Sequence, residues 1–307
     1  MQKYSLFGTL FLATLLHGME PDIKTIVADS VDQLVIQGIN HIKQHGTRFT
    51  AQAGSGVQSY DVNYVLKNPC NRVHMLRAPT SVKYLCRELL AYFKGSLYVC
   101  DGLSDASSIW NGLADDHGAI SSNYGYYVFH QKLPREPEMT QYQWVIYQLL
   151  KNSDSRKAFI NINQIDHKNT ASKDFPCTIG MQFFIKENSL CCTVSSRSTD
   201  IFTGLAYDMG FFSLVSELVY QDLKERLPQE KAESLMLGYV MMKTNFTQIY
   251  DKTASRAYEV LLNKEKVVAE SCMPRIDNAK LFLSDVYGQC AETSLMKWIY
   301  SHAKFDC

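Results

Sequence analysis

Cys177 stands in the run Phe175-Pro176-Cys177-Thr178, with Asp154-Ser155-Arg156-Lys157 before it and Ser196-Arg197-Ser198-Thr199-Asp200 after it. A thiol attacks as its thiolate, and a nearby guanidinium is one way to lower its pKa. Arg197 lies twenty positions on, and a hairpin between the two would return it beside Cys177. The planar fork of arginine also suits phosphate oxygens, and Ser198 is a further donor next to it. Glu88 and Asp208 are carboxyl groups able to move or share protons. Each residue has an ordinary use as well. A cysteine in apolar surroundings is more often inert core, Arg87-Glu88 can be a surface pair on a helix, Asp208 can cap the helix that follows it, and Arg156-Lys157 can be a solvated charge pair.

Other chemistries are disfavoured. The nine cysteines contain no CxxC pair and no regular framework, so neither a zinc site nor a disulfide scaffold is expected. His41 and His45 share helical spacing, but Ile-Lys-Gln stands between them without a carboxylate, and no metal is expected. Pro176-Cys177 begins like the signature of a zinc deaminase, yet Thr178, Ile179 and Gly180 follow where a second cysteine is needed, and no His-x-Glu precedes it. Lysine plus arginine equal aspartate plus glutamate at 31 each, so no basic field is available to hold a nucleic acid. A small ligand or a protein partner is the default.

The elements that must position these residues are legible in outline. Val82, Leu85, Leu89 and Phe93 have helical spacing within Ser81 to Lys94, and Gly95 closes the helix. Met181 to Ile185 and Leu190 to Val194 read as two strands joined by a turn at Lys186-Glu187-Asn188-Ser189. A long helix is predicted from about Met209 to Arg226, with Phe212, Val215, Leu218, Val219 and Leu223 on one side and Pro228 beyond it. Leu235 to Met242 reads as a buried strand. No repeat or long linker divides the chain, which predicts an N-terminal extension over 1–30 and one mixed α/β or α+β layer domain over 31–307. Lys3 with the apolar run Leu6 to Leu16 has the look of a short signal peptide, but no clear cleavage site follows and Met19 is an alternative start. The run is too short to span a bilayer, so a cytoplasmic protein without a membrane partner is expected. The sequon Asn245-Phe246-Thr247 would matter only after secretion.

In their order and spacing, the three segments around Cys177 resemble the thymidylate synthase family, which includes a deoxycytidylate hydroxymethylase branch. The likeness extends to Arg87-Glu88-Leu89-Leu90, Phe93-Lys94-Gly95, Ile109-Trp110, Tyr124-Gly125 and Gln248-Ile249-Tyr250, covering roughly Gly46 to Tyr250. The resemblance implies a layer fold with a large mixed sheet that is packed by helices and forms a homodimer interface. It further implies a one-carbon transferase that takes a pyrimidine nucleoside monophosphate, with 5,10-methylenetetrahydrofolate as co-substrate.

By the same resemblance Cys177 is the nucleophile at pyrimidine C6, which turns C5 into an enamine-like carbon. Glu88 organises water and relays protons, and Asp208 faces the base. Arg197 and Ser198 hold the phosphate, joined by Arg156 and Lys157 from the other subunit. Gln248 and Tyr250 meet the sugar hydroxyl, and Tyr124 lies on the substrate side. Trp110, Asp200 and Gly204 belong to the folate side.

Departures from the family pattern bear on specificity. Asp208 stands where thymidylate synthases have asparagine. A carboxyl accepts from cytosine N4 and, when protonated, donates to N3, so a cytosine base is expected. Lys157 replaces an arginine and loses its fork, while Gln248 replaces a histidine and leaves ribose or deoxyribose open. Gln52 stands where the phosphate loop Gln52-Ala53-Gly54-Ser55-Gly56 should carry arginine, with Arg48 as a possible substitute. Thr178 replaces a histidine, and Phe305-Asp306-Cys307 lacks the apolar terminal residue that closes over folate, which favours water over hydride as second reactant. The expected activity is hydroxymethylation of dCMP or CMP. The alternatives are a methylating synthase acting on dUMP or dCMP, and a nucleotide-binding homologue without turnover.

Overall fold

The computed structural model describes residues 22–51, 53–267 and 272–304. In chain order the elements are β1 (Lys24–Ala28), α1 (Val31–His45), β2 (Thr47–Ala51), β3 (Gly54–Leu66), α2 (Thr80–Lys94), α3 (Leu103–Ala106), α4 (Ile109–Leu113), β4 (Lys132–Leu133), β5 (Glu136–Thr140) and α5 (Gln141–Lys151). They continue with β6 (Phe159–Asn161), β7 (Thr178–Lys186), β8 (Ser189–Asp200), α6 (Ala206–Arg226), α7 (Gln229–Ser234), β9 (Met236–Tyr250), α8 (Asp251–Leu262), α9 (Ala279–Gly288) and α10 (Ser294–Ala303). Seven strands form one mixed sheet in the order β1-β3-β9-β8-β7-β6, with β2 pairing beside β3. The expected mixed layer fold is observed. Among the described residues no helix is long and apolar enough to cross a membrane.

Alternation along the strands gives the sheet two different faces. Val62, Tyr64, Leu66, Met181, Phe183, Leu190, Cys192, Val194, Val240 and Met242 are buried in the core, whereas Gln182, Thr193, Met241 and Lys243 on the opposite face are half-buried or exposed. Helix α6 runs through the core. Its buried residues include Met209, Phe211, Phe212, Leu214, Val215, Leu218 and Val219, together with Ser213, Ser216, Glu217 and Asp222, so it is buried around most of its circumference rather than along the single side predicted.

The boundaries differ from the expectation in four places. Strand β1 pairs in parallel with β3 from Lys24↔Val62 to Ala28↔Leu66, so the sheet starts before the predicted boundary at residue 30; the apolar run Leu6 to Leu16 lies outside the described residues. Helix α2 closes as predicted, at Gly95 in the left-handed region (φ 66°). The hairpin is longer than predicted and its turn tighter: Lys186 pairs with Ser189, and Glu187 and Asn188 both have positive φ, 51° and 58°, the geometry that matches the twist of a two-residue hairpin. Strand β9 runs to Tyr250, eight residues past the predicted end at Met242, because Lys243 and Asn245 are exposed while Thr244 and Thr247 are buried. Helix α6 begins at Ala206, three residues before Met209, straight from a π-helical turn over Ile201–Leu205.

Candidate active site

Strands β8 and β9 are parallel, with Asp200 opposite Gln248, so their C-terminal ends open at one edge of the sheet. Cys177 arrives at that edge just before β7. The antiparallel pairing of β7 with β8 returns Arg197 to it, as the predicted hairpin requires: the Arg197 N–H donates to the Cys177 carbonyl at 2.8 Å. The Ser196 hydroxyl donates to the same carbonyl at 3.0 Å, and Ser198 Oγ lies 3.6 Å from Cys177 Sγ.

The electrostatics of the thiol correct the expectation. Burial pushes the Cys177 thiol up, and Arg197 and Ser198 pull it down by less. The geometry explains why Arg197 does not prevail. Its Nη2 donates to the Phe175 carbonyl at 2.6 Å and its Nε to the Pro176 carbonyl at 3.2 Å, with the guanidinium over the Phe175 ring. Those bonds hold the peptide that carries Cys177. Asp174, just before that peptide, accepts from the Ser121 and Ser122 N–H groups and the Ser122 hydroxyl, which ties it to the segment leading to Tyr124.

Two carboxyl groups with raised pKa values adjoin this site, Asp208 interacting with the thiol and Glu88 with Asp208. Glu88 on α2 is 5% exposed, which rules out the surface-pair use. Burial pushes it up to about 8, Tyr84 and Tyr92 draw it back through hydrogen bonds, and Asp208 adds to the rise. Burial also pushes Asp208 on α6 up to about 7. Asp208 is not a helix cap, because α6 already includes Ala206 and Tyr207. Asp200 caps the π turn instead, one oxygen accepting from the Thr203 N–H at 2.6 Å and its hydroxyl at 2.8 Å. Tyr124, 6% exposed and stacked on Tyr92 and Phe212, feels the charges of both Asp208 and Cys177. Gly125 lets this segment pass the helix, since a Cβ there would lie 2.0 Å from the Tyr92 carbonyl oxygen.

The remaining residues complete the same cleft. A Cβ on Gly204 would stand 3.8 Å from Asp208 Oδ2 and 3.2 Å from Thr199 Oγ1. The second Asp200 oxygen, Oδ2, is buried without a partner, as is Gln248 Oε1. A buried acceptor left unpaired costs free energy, so both atoms are suited to accept from a ligand. Tyr250, two residues beyond Gln248 at the end of β9, feels Cys177 and Asp200. Trp110 on α4 is half-buried, its indole N–H beside the Tyr84 hydroxyl but outside hydrogen-bonding geometry.

Two expected contributors are not brought to this cleft within the chain. Arg156 and Lys157 are exposed, and the Arg156 carbonyl accepts from Gln182. At ~3.3 Å per strand residue, Gln182 lies about 16 Å along β7 from Cys177. Arg48 does not stand in for the phosphate loop either, because its guanidinium is held by both oxygens of Asp251 at 2.7 and 2.8 Å; Gln52 and Phe305-Asp306-Cys307 lie outside the described residues. Tyr84, Tyr92 and Asp174 were missed. Tyr84 had a readable signal, lying one helical turn before Glu88.

The arrangement brings a thiol together with an arginine and a serine, and Asp208 and Tyr124 are close enough for their charges to be felt at the same sulfur. The chain matches the thymidylate synthase family over residues 31–279 and belongs to it. It is 32% identical over 142 residues to the thymidylate synthase of Buchnera aphidicola (subsp. Acyrthosiphon pisum, strain Tuc7), covering 45% of this chain and 52% of that protein. It is 30% identical over 160 residues to the deoxycytidylate 5-hydroxymethyltransferase of Enterobacteria phage T6, and 29% identical to that of phage T4, covering in both cases 50% of this chain and 63% of the relative. The chain thus spans about half to three-fifths of the length of these relatives.

Proposed function

We propose that this chain is a pyrimidine nucleotide C5 hydroxymethyltransferase, which transfers the one-carbon unit of 5,10-methylenetetrahydrofolate to dCMP or CMP, with water, to give a 5-hydroxymethylcytidylate. The observation that carries this reading is Asp208, a carboxyl that burial pushes up to about 7 and that interacts electrostatically with Cys177. In its protonated form it donates to cytosine N3 while its carbonyl oxygen accepts from N4. Likeness to the phage hydroxymethyltransferases supports the same choice.

The residues fit a reduced folate. Asp200 Oδ2 is a buried acceptor without a partner, Trp110 offers a half-buried aromatic face, and Gly204 keeps a side chain away from Thr199 and Asp208. When bound, the folate supplies a methylene group at the oxidation level of formaldehyde. Cys177 Sγ adds to C6, making C5 a carbon nucleophile that bonds to the methylene carbon, after which the C–N bond of that methylene breaks and tetrahydrofolate leaves. Glu88 and Tyr124 hold and pass protons as the C5 hydrogen leaves. Water then adds to the exocyclic methylene and Cys177 is expelled. Arg197 and Ser198 bind the phosphate together with Arg156 and Lys157 of a second subunit, so that the half-exposed sheet face becomes a homodimer interface. Gln248 and Tyr250 meet the sugar hydroxyl.

Incubation with dCMP, CMP or dUMP and methylenetetrahydrofolate, followed by mass analysis, tests the reading. A cytidylate gain of 30 Da supports it, given the CH2O added in the balanced reaction. Conversion of dUMP to dTMP with dCMP inert would instead favour a methylating synthase, the reading that likeness to the Buchnera enzyme supports. Binding without product would favour a homologue that has lost turnover.

A further inference from the structure

Glu88 is held by a side chain with no part in the chemistry so far. The Tyr84 hydroxyl donates to Glu88 Oε1 at 2.7 Å across one turn of α2. The Tyr84 ring packs against Tyr207 on α6, with ring centroids 4.3 Å apart, so the hydroxyl has little freedom to turn away. The Trp110 indole N–H lies near the same hydroxyl without bonding to it. The other titratable groups around Glu88 are Tyr92 on α2 and Asp208 and Tyr207 on α6, and Arg77 is the cation next to Tyr207.

We propose that Tyr84 is a positioning residue, which sets the orientation and protonation of Glu88 and couples that carboxyl to the Trp110 face of the cleft. A phenol O–H donating to a carboxylate favours the ionised form, and hydrogen bonds to charged groups are among the stronger ones. The Tyr84 oxygen keeps acceptor capacity while it donates to Glu88. A ligand that presses Trp110 toward Tyr84 strengthens donation to the phenol oxygen, which polarises the O–H toward Glu88. The coupling to Trp110 rests on the proposed folate reading, whereas the hold on Glu88 does not.

The test is Tyr84→Phe, which keeps the ring and removes only the hydroxyl. Carbon-13 carboxyl resonances of the ligand-free protein are titrated, with the Glu88 signal assigned by its loss in Glu88→Gln. The Glu88 midpoint should rise by about one pH unit in Tyr84→Phe, and the corresponding limb of the pH–rate profile should move with it. A role confined to packing would lower stability and leave that midpoint in place, and an unchanged midpoint overturns the proposal. In the wild type, tetrahydrofolate should lower the midpoint, and in Tyr84→Phe it should not; equal responses in the two overturn the coupling. If no nucleotide is converted, the functional reading fails while the ligand-free titration still decides the role of Tyr84.

Discussion

The Arg197 N–H donates to the Cys177 carbonyl at 2.8 Å, while the guanidinium of the same residue turns back onto the Phe175 and Pro176 carbonyls. Arg197 therefore shapes the peptide that carries Cys177 more than it ionises the thiol, and burial leaves Cys177 above an ordinary cysteine. In the ligand-free protein, alkylation of Cys177, followed by peptide mass analysis, should show a midpoint above that of an unstructured cysteine peptide. Arg197→Ala should raise the midpoint further, since the charge that lowers it is gone. A midpoint below that of the peptide would contradict this account.

Asp208→Asn exchanges a carboxyl that can accept from N4 and donate to N3 for an amide that matches uracil. Loss of a paired donor–acceptor contact costs ~1–3 kcal/mol, so kcat/KM for the cytidylate should fall roughly 10- to 100-fold while that for dUMP rises relative to it. Competition between the two nucleotides, read by mass, measures the ratio. An unchanged ratio would mean that Asp208 does not choose the base.

Glu88, which is buried, and Asp208, which is half-buried, also govern stability. Both have folded-state pKa values raised above their unfolded ones, Glu88 to about 8 and Asp208 to about 7, so the folded protein holds more protons than the unfolded chain. Their contribution is most favourable below the unfolded carboxylate range and is lost as the pH rises through about 7 to 8. Thermal unfolding of the ligand-free protein should show Tm falling from about pH 5 to pH 8, and Glu88→Gln should flatten that fall, gaining roughly 3 °C or more on the wild type at the alkaline end. Parallel curves for the two proteins would refute the assignment.

Much of this fold was legible because the patterns behind it are local. The spacing of Val82, Leu85, Leu89 and Phe93 ended at a left-handed Gly95, and the two apolar runs around Lys186 to Ser189 became β7 and β8. The lower half of β9 was missed because Lys243 and Asn245 break the apolar run, although in a strand they simply mark the exposed face. At the site, residue identity was readable and environment was not. Nothing local announces that Glu88 is buried, that Asp200 rather than Asp208 caps the turn, or that burial outweighs Arg197 at Cys177. Those depend on which distant segments close over each group.

Arg156 and Lys157 give the proposal its most demanding test, because neither reaches the cleft of its own chain: both are exposed, and the Arg156 backbone is bound to Gln182, well along β7 from Cys177. If they serve the phosphate, they do so in a neighbouring subunit across the half-exposed face of the sheet. Cys177→Ser homodimers and Arg156→Ala/Lys157→Ala homodimers should each be nearly inactive, the first by roughly 10³-fold or more. Mixed and allowed to exchange subunits, they should regain activity. In the heterodimer one cleft combines an intact Cys177 with intact Arg156 and Lys157 from the Cys177→Ser subunit, while the other cleft lacks both. Random reassortment of equal amounts makes half of the dimers mixed, each with one working cleft, so the recovered rate should approach about a quarter of the wild-type rate per subunit. Recovery near that level is expected only if the basic pair acts across the interface. If the pair acted within its own chain, every cleft would keep one defect and mixing would restore nothing.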